Sequence, residues 1–549
     1  MKHIHFGLAS YNKPEIQNNN DFYNVWHNKE YYQDYLKVND NEKIMFSQII
    51  ENQKNDNHPP LYYFILRMAM GFNINVFSKW PGIVINIIIY IFITIFMYLI
   101  GSKILRGKEK YKEKSVFLAF ISSIMLSAVT SAIFIRMYAL STLNIVITTY
   151  LHLKLLEKEN KSNMILIGIS LSVLIGSLTH YYYLFYLVAM FIMFVIKYIK
   201  EKKYKQVIKY ILAIGVAGIC SLIIFPYSIN HIFFGYRGKG VLNNLSNIGQ
   251  HFVNILLYLF ITNVYVFNDF LIVLMLVIVS VCIYKMIRHK KIMEEKNKYV
   301  KYIAIPTLFY FIIVSICSPY IELRYIIAVS PMIFILMMNC IYEILQNLFK
   351  EKTINKIMIF IFISMIIMSF ISNDIIDLII GKDFRNEQES SYSSKAELIE
   401  NLKNKCNIPI ELIPQIEGIP LANVLLYIKD FKIEPEVLYS NKRDIMKKVT
   451  NELKSVPALY LFNSDNNRFL DDILLFANIK ESYIAKDIEC TKENIKDIME
   501  NKDISNGILI FINDWQNNEK IVDIVKQSMN LSNVTYLKRL NMCDVYYIK

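Results

Sequence analysis

No disulfide framework is visible in this sequence. Its seven cysteines are scattered: Cys220, Cys282, Cys317 and Cys340 lie in apolar runs, and Cys406, Cys490 and Cys543 are spread through the C-terminal part. None of their spacings is that of a metal-ligating set. The N-terminus lacks the apolar stretch of a secretory signal. There is no internal repeat and no low-complexity linker. Basic residues are also missing from alternate loops, which hold only Arg136, Arg237, Lys239 and Arg324.

What is present in excess is apolar sequence. Of 549 residues 54% are hydrophobic, and the mean hydropathy is +0.31, whereas soluble domains sit near ~45–50% apolar. A helix of about twenty apolar residues spans a bilayer. Runs of that kind fall near 81–104, 115–134, 137–156, 162–178, 180–199, 206–227, 269–287, 300–317, 323–347 and 354–380. So many runs exclude a soluble protein with buried core helices. The fold class expected is a polytopic all-α membrane protein of about ten spans, followed by a soluble α/β domain.

The net charge of +13 is compatible with nucleic acid, anionic lipid or cytoplasmic loops, and its placement decides. The other loops carry dense basic clusters: Lys103 to Lys114, Lys154 to Lys161, Lys197 to Lys209, Lys285 to Lys301 and Lys350 to Lys356. About 25 basic residues lie on one side of the expected membrane against about four on the other, a strong positive-inside asymmetry. Those loops are therefore read as cytoplasmic, and a nucleic-acid partner is dropped. The richness in Ile, Lys and Asn is that of an AT-rich genome and points to a bacterial plasma membrane.

Three regions follow. Residues 1–79 are polar and read as an extracytoplasmic first loop, because the helix from Pro81 must end inside at Lys103. A polar tail of about eighty residues does not cross unaided, so an upstream spanning helix is expected to be missing from the chain. Residues 80–380 form the helical bundle; within it the stretch Leu242 to Phe260 looks amphipathic and suits the membrane interface. Residues 381–549 alternate strand-like runs (Ala458–Phe462, Gly507–Asn513, Val534–Tyr536, Val545–Ile548) with helical stretches (Lys395–Lys405, Glu493–Asn501), the pattern of a small α/β domain. Ten crossings return the chain to the outside, so this domain is also expected to be extracytoplasmic.

Five segments on the expected outer side can carry chemistry. Asn55-Asp56-Asn57-His58-Pro59-Pro60 holds two titratable side chains on a loop stiffened by two prolines; it reads equally as a helix-start turn with a capping Asp. Arg136, followed by Tyr138, can face a phosphate with its planar fork or simply reach the interface. Thr179-His180-Tyr181-Tyr182 is either part of an aromatic belt or a hydrogen-bonding group in a wet cavity. Arg324 and Tyr325 lie in a short turn where a charge near the apolar zone calls for a partner or a cavity, Glu322 being the plain partner. The loop with Tyr236, Arg237 and Lys239 suits a mobile lid or is a plain loop. Together they put a carboxylate, two histidines and two or three arginines beside lipid, which suits a lipid-linked phosphate substrate.

The His-Pro-Pro-Leu-Tyr-Tyr run at 58–63 resembles the first-loop signature of the GT-C glycosyltransferases, in the group of the protein O-mannosyltransferases and aminoarabinose transferases. Arg-Met-Tyr-Ala-Leu at 136–140, Thr-His-Tyr-Tyr at 179–182 and Ser318-Pro319-Tyr320 with Arg324-Tyr325 look like further signatures in the same order. The resemblance covers about residues 6–330. It implies an inverting transferase that moves a sugar from a polyprenyl-phosphate donor to a glycan, glycolipid or protein acceptor on the outer face. Arg136, Tyr138, His180, Tyr181, Arg324 and Tyr325 would hold the donor phosphate. No cofactor is obligatory, though Asp56, His58 and His180 leave room for a divalent cation. The family's first loop begins with an Asp-Glu pair that is absent here, where Phe6-Gly7-Leu8-Ala9 looks like the segment that follows it. Asp56 is the best remaining carboxylate, with His58 beside it. The competing readings are a lipid-linked sugar transporter, which favours repeats and midplane charges, and an inactive relative acting as a binding protein.

Overall fold

The computed structural model describes residues 20–271, 298–371 and, in pieces, 445–549, with short interruptions such as 43–44, 57, 158–161, 319–320 and 463–475. The span expected at 269–287 and the helix at Lys395–Lys405 therefore lie essentially outside the described residues.

The first loop folds into helices α1 (Lys29–Tyr35), α2 (Ser47–Asn55) and α3 (Leu61–Met70). The bundle follows as α4 (Trp80–Ile104), α5 (Tyr111–Ile124), α6 (Leu126–Ile133), α7 (Tyr138–Leu155), α8 (Ser162–Ser177), α9 (Tyr183–Lys200), α10 (Tyr204–Ile224), α11 (Ser228–Phe233), α12 (Tyr236–Ser246), α13 (Ile248–Phe267), α14 (Val300–Cys317), α15 (Ser330–Gln346) and α16 (Glu351–Ile371). Among the described residues, six helices are long and apolar enough to cross a membrane, or seven if α5 and α6, bent by 55° at Met125, count as one span. The protein is thus a multi-pass membrane protein.

One expected span, 269–287, lies essentially outside the described residues, and two others fall short of a full apolar span for physical reasons. At 16 residues α8 is short. Helix α7 turns Thr142, Asn144, Thr148, Thr149 and His152 into the bundle, all buried, which lowers its hydropathy. Four of those five side chains are hydrogen-bonded within the bundle: Thr142 bonds the Tyr138 carbonyl at 2.9 Å, Thr148 bonds Ser172 and Tyr183, Thr149 bonds Tyr186 at 2.7 Å, and His152 bonds Tyr210 at 2.9 Å. With no water in hydrocarbon, such pairing is what lets a polar stripe sit inside a membrane.

The stretch from Leu242 to Phe260 is not one interfacial segment. It divides between α12 and α13, and α13 dives into the bundle. Tyr258 in its middle bonds Ser318 at the end of α14 at 2.6 Å, while Phe267 at its end packs on Phe334 of α15.

The two ends of the bundle differ. At one, lysines are tied to carboxylates: Lys103 to Glu157, Lys108 to Glu343 at 2.9 Å and Lys114 to Glu351. The other end carries the turns after α6, α8 and α14, together with the first loop, whose Leu61 amide donates to the Leu178 carbonyl at 3.1 Å.

The C-terminal part forms a sheet in the order β1-β3-β2-β4-β6-β5, with β2 Ala458–Phe462, β3 Glu481–Lys486, β4 Ile508–Asn513, β5 Val534–Leu540 and β6 Cys543–Ile548. Strand β2 pairs in parallel with β3 and β4, and the β4–β6 and β5–β6 pairs are antiparallel. Strand β1, Trp26–Asn28, comes from the first loop and pairs antiparallel with β3. Side chains alternate across the sheet. Leu459, Leu461, Ile510 and Ile512 pack on α17 (Lys492–Ile498) and α18 (Asn518–Met529). Ala458, Tyr460, Leu509 and Phe511 face a core shared with Phe22, Tyr32 and Tyr35 of the first loop. Ser482 bonds the Tyr32 hydroxyl at 2.8 Å and the Trp26 indole donates to the Ile498 carbonyl at 2.8 Å. The sheet is therefore built onto the first loop, at the end of the bundle that holds Asp56 and His58.

Candidate functional site

The prolines do what their chemistry dictates. Pro59 and Pro60 are buried, Pro60 precedes the first turn of α3, and a helix tolerates proline there. Held on that corner, His58 Nδ1 lies 2.8 Å from Asp56 Oδ2, with side chains 19% and 24% exposed. An imidazole facing a carboxylate through Nδ1 carries its proton there and leaves Nε2 open to accept.

Arg136 sits in the turn between α6 and α7, nearly buried, its guanidinium 5.3 Å from the Phe134 ring centre. Phe134 stacks on Tyr138 at 5.7 Å, and Tyr138 meets His180 at 5.4 Å. His180 in turn lies edge-on to Tyr182 at 5.1 Å, and Tyr182 contacts Tyr325 at 5.4 Å. An aromatic chain thus links the turns that carry Arg136, His180 and Arg324. Arg324 bonds Glu322 at 2.6 Å and lies 5.1 Å from the Tyr325 ring centre; its Nε is buried without a hydrogen-bond partner among the described residues. Glu322 is thus the partner that the sequence offered.

Burial, then the neighbouring His58, Arg324 and Arg136, push the His180 imidazole down to about 3. His180 is neutral at physiological pH. Its Nδ1 accepts from the Tyr182 amide at 3.2 Å, which assigns the proton to Nε2 and makes that atom a donor. The end of the bundle thus offers two guanidinium groups, a neutral imidazole donor and an Asp–His pair, a set suited to an anion and to a proton acceptor beside it.

The other candidates fall differently. Tyr181 turns away from the arginines: its hydroxyl meets His231 Nδ1 at 2.9 Å and Ser228 at 3.4 Å, and His231 Nε2 meets the Lys54 carbonyl at 3.0 Å. The expected lid is a pair of short helices rather than a loop, because Tyr236, Arg237 and Lys239 begin α12. Lys239 is exposed, and the side chains of Tyr236 and Arg237 lie outside the described residues. Asn244 pins α12 by donating to the Ser318 carbonyl at 2.7 Å. Among the described residues no three His, Cys, Asp or Glu side chains are grouped to hold a metal ion.

Sequence reading missed Asn86, one polar residue inside the apolar run of α4. It accepts from Tyr62 at 3.1 Å and donates to the Ser131 and Phe134 carbonyls at 3.3 and 3.0 Å. It thereby ties the first loop to the turn that aims Arg136. Asn86→Leu leaves a buried hydroxyl and two carbonyls short of partners at about 1–3 kcal/mol each. The expected result is a clear drop in thermal unfolding temperature in detergent. Gly176 is the matching tight spot behind His180. A Cβ there would lie 2.4 Å from Asn144 Nδ2 and from a Tyr183 ring carbon. Gly176→Ala should destabilise by about 1–3 kcal/mol through overpacking, read in the same unfolding assay; an unchanged midpoint would show that the turn yields.

Residues 57–225 match the sequence family described as dolichyl-phosphate-mannose-protein mannosyltransferase. That segment holds His58, Arg136 and His180, while Arg324 and the C-terminal sheet lie beyond it. Over that segment the match bears out the resemblance to GT-C glycosyltransferases. No curated protein matches the chain. Two solved structures of ArnT from Cupriavidus metallidurans, one bound to undecaprenyl phosphate and one in the apo state, each align over 99% of this chain and 93% of that chain. In both the sequence identity is 9% and the TM-score 0.48.

Proposed function

We propose that this protein is an inverting glycosyltransferase that moves a sugar from a polyprenyl-phosphate donor to an acceptor on the outer face of a membrane. The observation that carries the reading is the gathering of the Asp56–His58 pair, Arg136, His180 and Arg324 at one end of the bundle, mostly within the segment that matches the mannosyltransferase family. That end lies opposite the lysine-rich turns, which the positive-inside rule puts in the cytoplasm. The first loop and the C-terminal sheet share it.

The reaction breaks the bond between the anomeric carbon and the phosphate oxygen. The departing phosphate takes the electron pair and gains charge, so it needs cations and donors rather than an acid. Arg136, Arg324 and the Nε2–H of His180 supply them; preorganised donors of this kind are worth about 2.7–4 kcal/mol each. The acceptor hydroxyl attacks from the opposite face, forms the new carbon–oxygen bond and inverts the anomeric centre. Its proton passes to His58 Nε2, while Asp56 holds the imidazole in the right tautomer. The short helices α11 and α12, fastened at the same end of the bundle by His231 and Asn244, are the segments that would close over the site and exclude water.

The test uses the full chain in liposomes with labelled polyprenyl-phosphate hexoses and pentoses. Label should pass from the lipid to an acceptor fraction with the opposite anomeric configuration. Label that crosses the bilayer still attached to lipid would identify a transporter instead. Label that never leaves the donor pool would favour the binding-protein reading.

A further inference from the structure

A cavity of about 450 Å³ opens at the basic end of the bundle, between α5, α15 and α16. It lies at the end of the bundle opposite the site described above. Its walls are apolar, with Phe117, Met338, Met358 and Phe362 among them, and its rim carries Lys110, Glu113 and Lys114.

The rim cations are not equivalent. Lys114 is engaged with Glu351 and lies 4.8 Å from the Tyr342 ring centre, and the Tyr342 hydroxyl also bonds Glu351 at 2.6 Å. Lys110 is exposed and, among the described residues, takes part in no ion pair. It stands at the start of α5 with φ +51° and gives that helix no side-chain cap. The first-turn amides and the ammonium thus face the same rim, and both favour an anion. Neighbouring Arg106 and Lys112 are exposed as well.

A second observation points inward. Asn339 lines the cavity, is only 4% exposed, and its Oδ1 has no hydrogen-bond partner among the described residues. A buried amide left short of a partner in an apolar wall is costly. The position wants a polar group that arrives with the ligand, and the amide can turn to give or to accept a hydrogen bond.

We propose that this cavity binds an anionic diacyl phospholipid from the leaflet on the basic side. The phosphate meets Lys110 and the open start of α5. Asn339 takes the polar neck of the lipid, and one acyl chain fills the space against Phe117, Met358 and Phe362. Glu113 on the rim can accept from headgroup hydroxyls. Basic pockets between membrane helices on the positive side are where such headgroups are held.

Native mass spectrometry of the full chain in detergent tests this, with dioleoyl phosphatidylglycerol and dioleoyl phosphatidylcholine as probes. The wild-type protein should hold phosphatidylglycerol at least about tenfold more tightly than phosphatidylcholine. Lys110→Glu, an exposed change that leaves packing alone, and Asn339→Leu should each weaken phosphatidylglycerol at least about fivefold. Lys112→Glu, off the rim, should change it less than about twofold. Equal affinity for the two lipids would overturn the proposal. So would an equal loss in Lys112→Glu, which would mean diffuse charge, or full displacement by glycerol 1-phosphate, which would mean a phosphate site without a lipid.

Discussion

Arg324→Ala is expected to lower kcat for sugar transfer by about 10²–10³-fold while the protein still inserts and unfolds cooperatively. The side chain is held on both sides before any substrate arrives: Glu322 takes one end at 2.6 Å and Tyr325 lies under the guanidinium at 5.1 Å. Its Nε remains buried and, among the described residues, without a hydrogen-bond partner, so a donor is poised at no further cost in side-chain ordering. A donor of that kind acts where charge develops, on the departing phosphate, and the loss should appear in kcat more than in the KM for donor lipid. Arg324→Lys tests the shape of the group. It restores the charge but not the fork, and should recover only part of the rate. Arg136→Ala should behave similarly, because its turn reaches Arg324 through Phe134, Tyr138, His180, Tyr182 and Tyr325. Wild-type turnover in both alanine variants would make these residues ordinary interface anchors.

Hydropathy alone locates the bundle, because burying twenty apolar side chains in lipid leaves the chain little choice but a helix. The run at 300–317 coincides with α14, and the runs at 81–104 and 162–178 miss by a residue or so. The bend at Met125 was not legible, since no proline or glycine marks it. Strand β1 was hidden for a different reason. Three residues, Trp26–Asn28, pair with Glu481–Tyr483 across the length of the chain, and nothing local announces so distant a partner. Strand β3 itself, Glu-Ser-Tyr-Ile-Ala-Lys, is too short and mixed to stand out until it is seen buried between two neighbours.

The site divides along the same line. Residues that sit on stiff turns, such as His58 after Asp56 and before two prolines, could be named from sequence because the turn and the titratable groups are adjacent. Asn86 could not be given a role, although a lone amide in an apolar helix was a signal. Its worth lies in the Ser131 and Phe134 carbonyls, 45 and 48 residues away. The direction of Tyr181, toward His231 rather than Arg136, depends on the short helix α11, which in sequence looks like a loop.

His58→Ala should lower transfer by about 10²–10⁴-fold, the usual worth of a positioned general base. The more informative change is Asp56→Asn. In the native pair the Nδ1–H donates to the carboxylate at 2.8 Å and Nε2 is left to accept. A carboxamide can instead donate its own N–H to Nδ1, which moves the ring proton to Nε2 and closes the accepting site. Geometry and volume barely change, so a loss of rate as large as that of His58→Ala must come from the tautomer rather than from packing. Binding of the donor lipid separates the roles further. In the proposed reaction the arginines and His180 hold the phosphate, so both Asp56→Asn and His58→Ala should leave the donor dissociation constant within about threefold of wild type. If Asp56→Asn keeps most of the activity while His58→Ala loses it, the pair is not an acid–base unit, and His58 acts through its contact with the phosphate-binding groups. If donor binding falls with both, the corner at Pro59 and Pro60 serves to hold the lipid phosphate, and the proton acceptor must be sought elsewhere in the first loop.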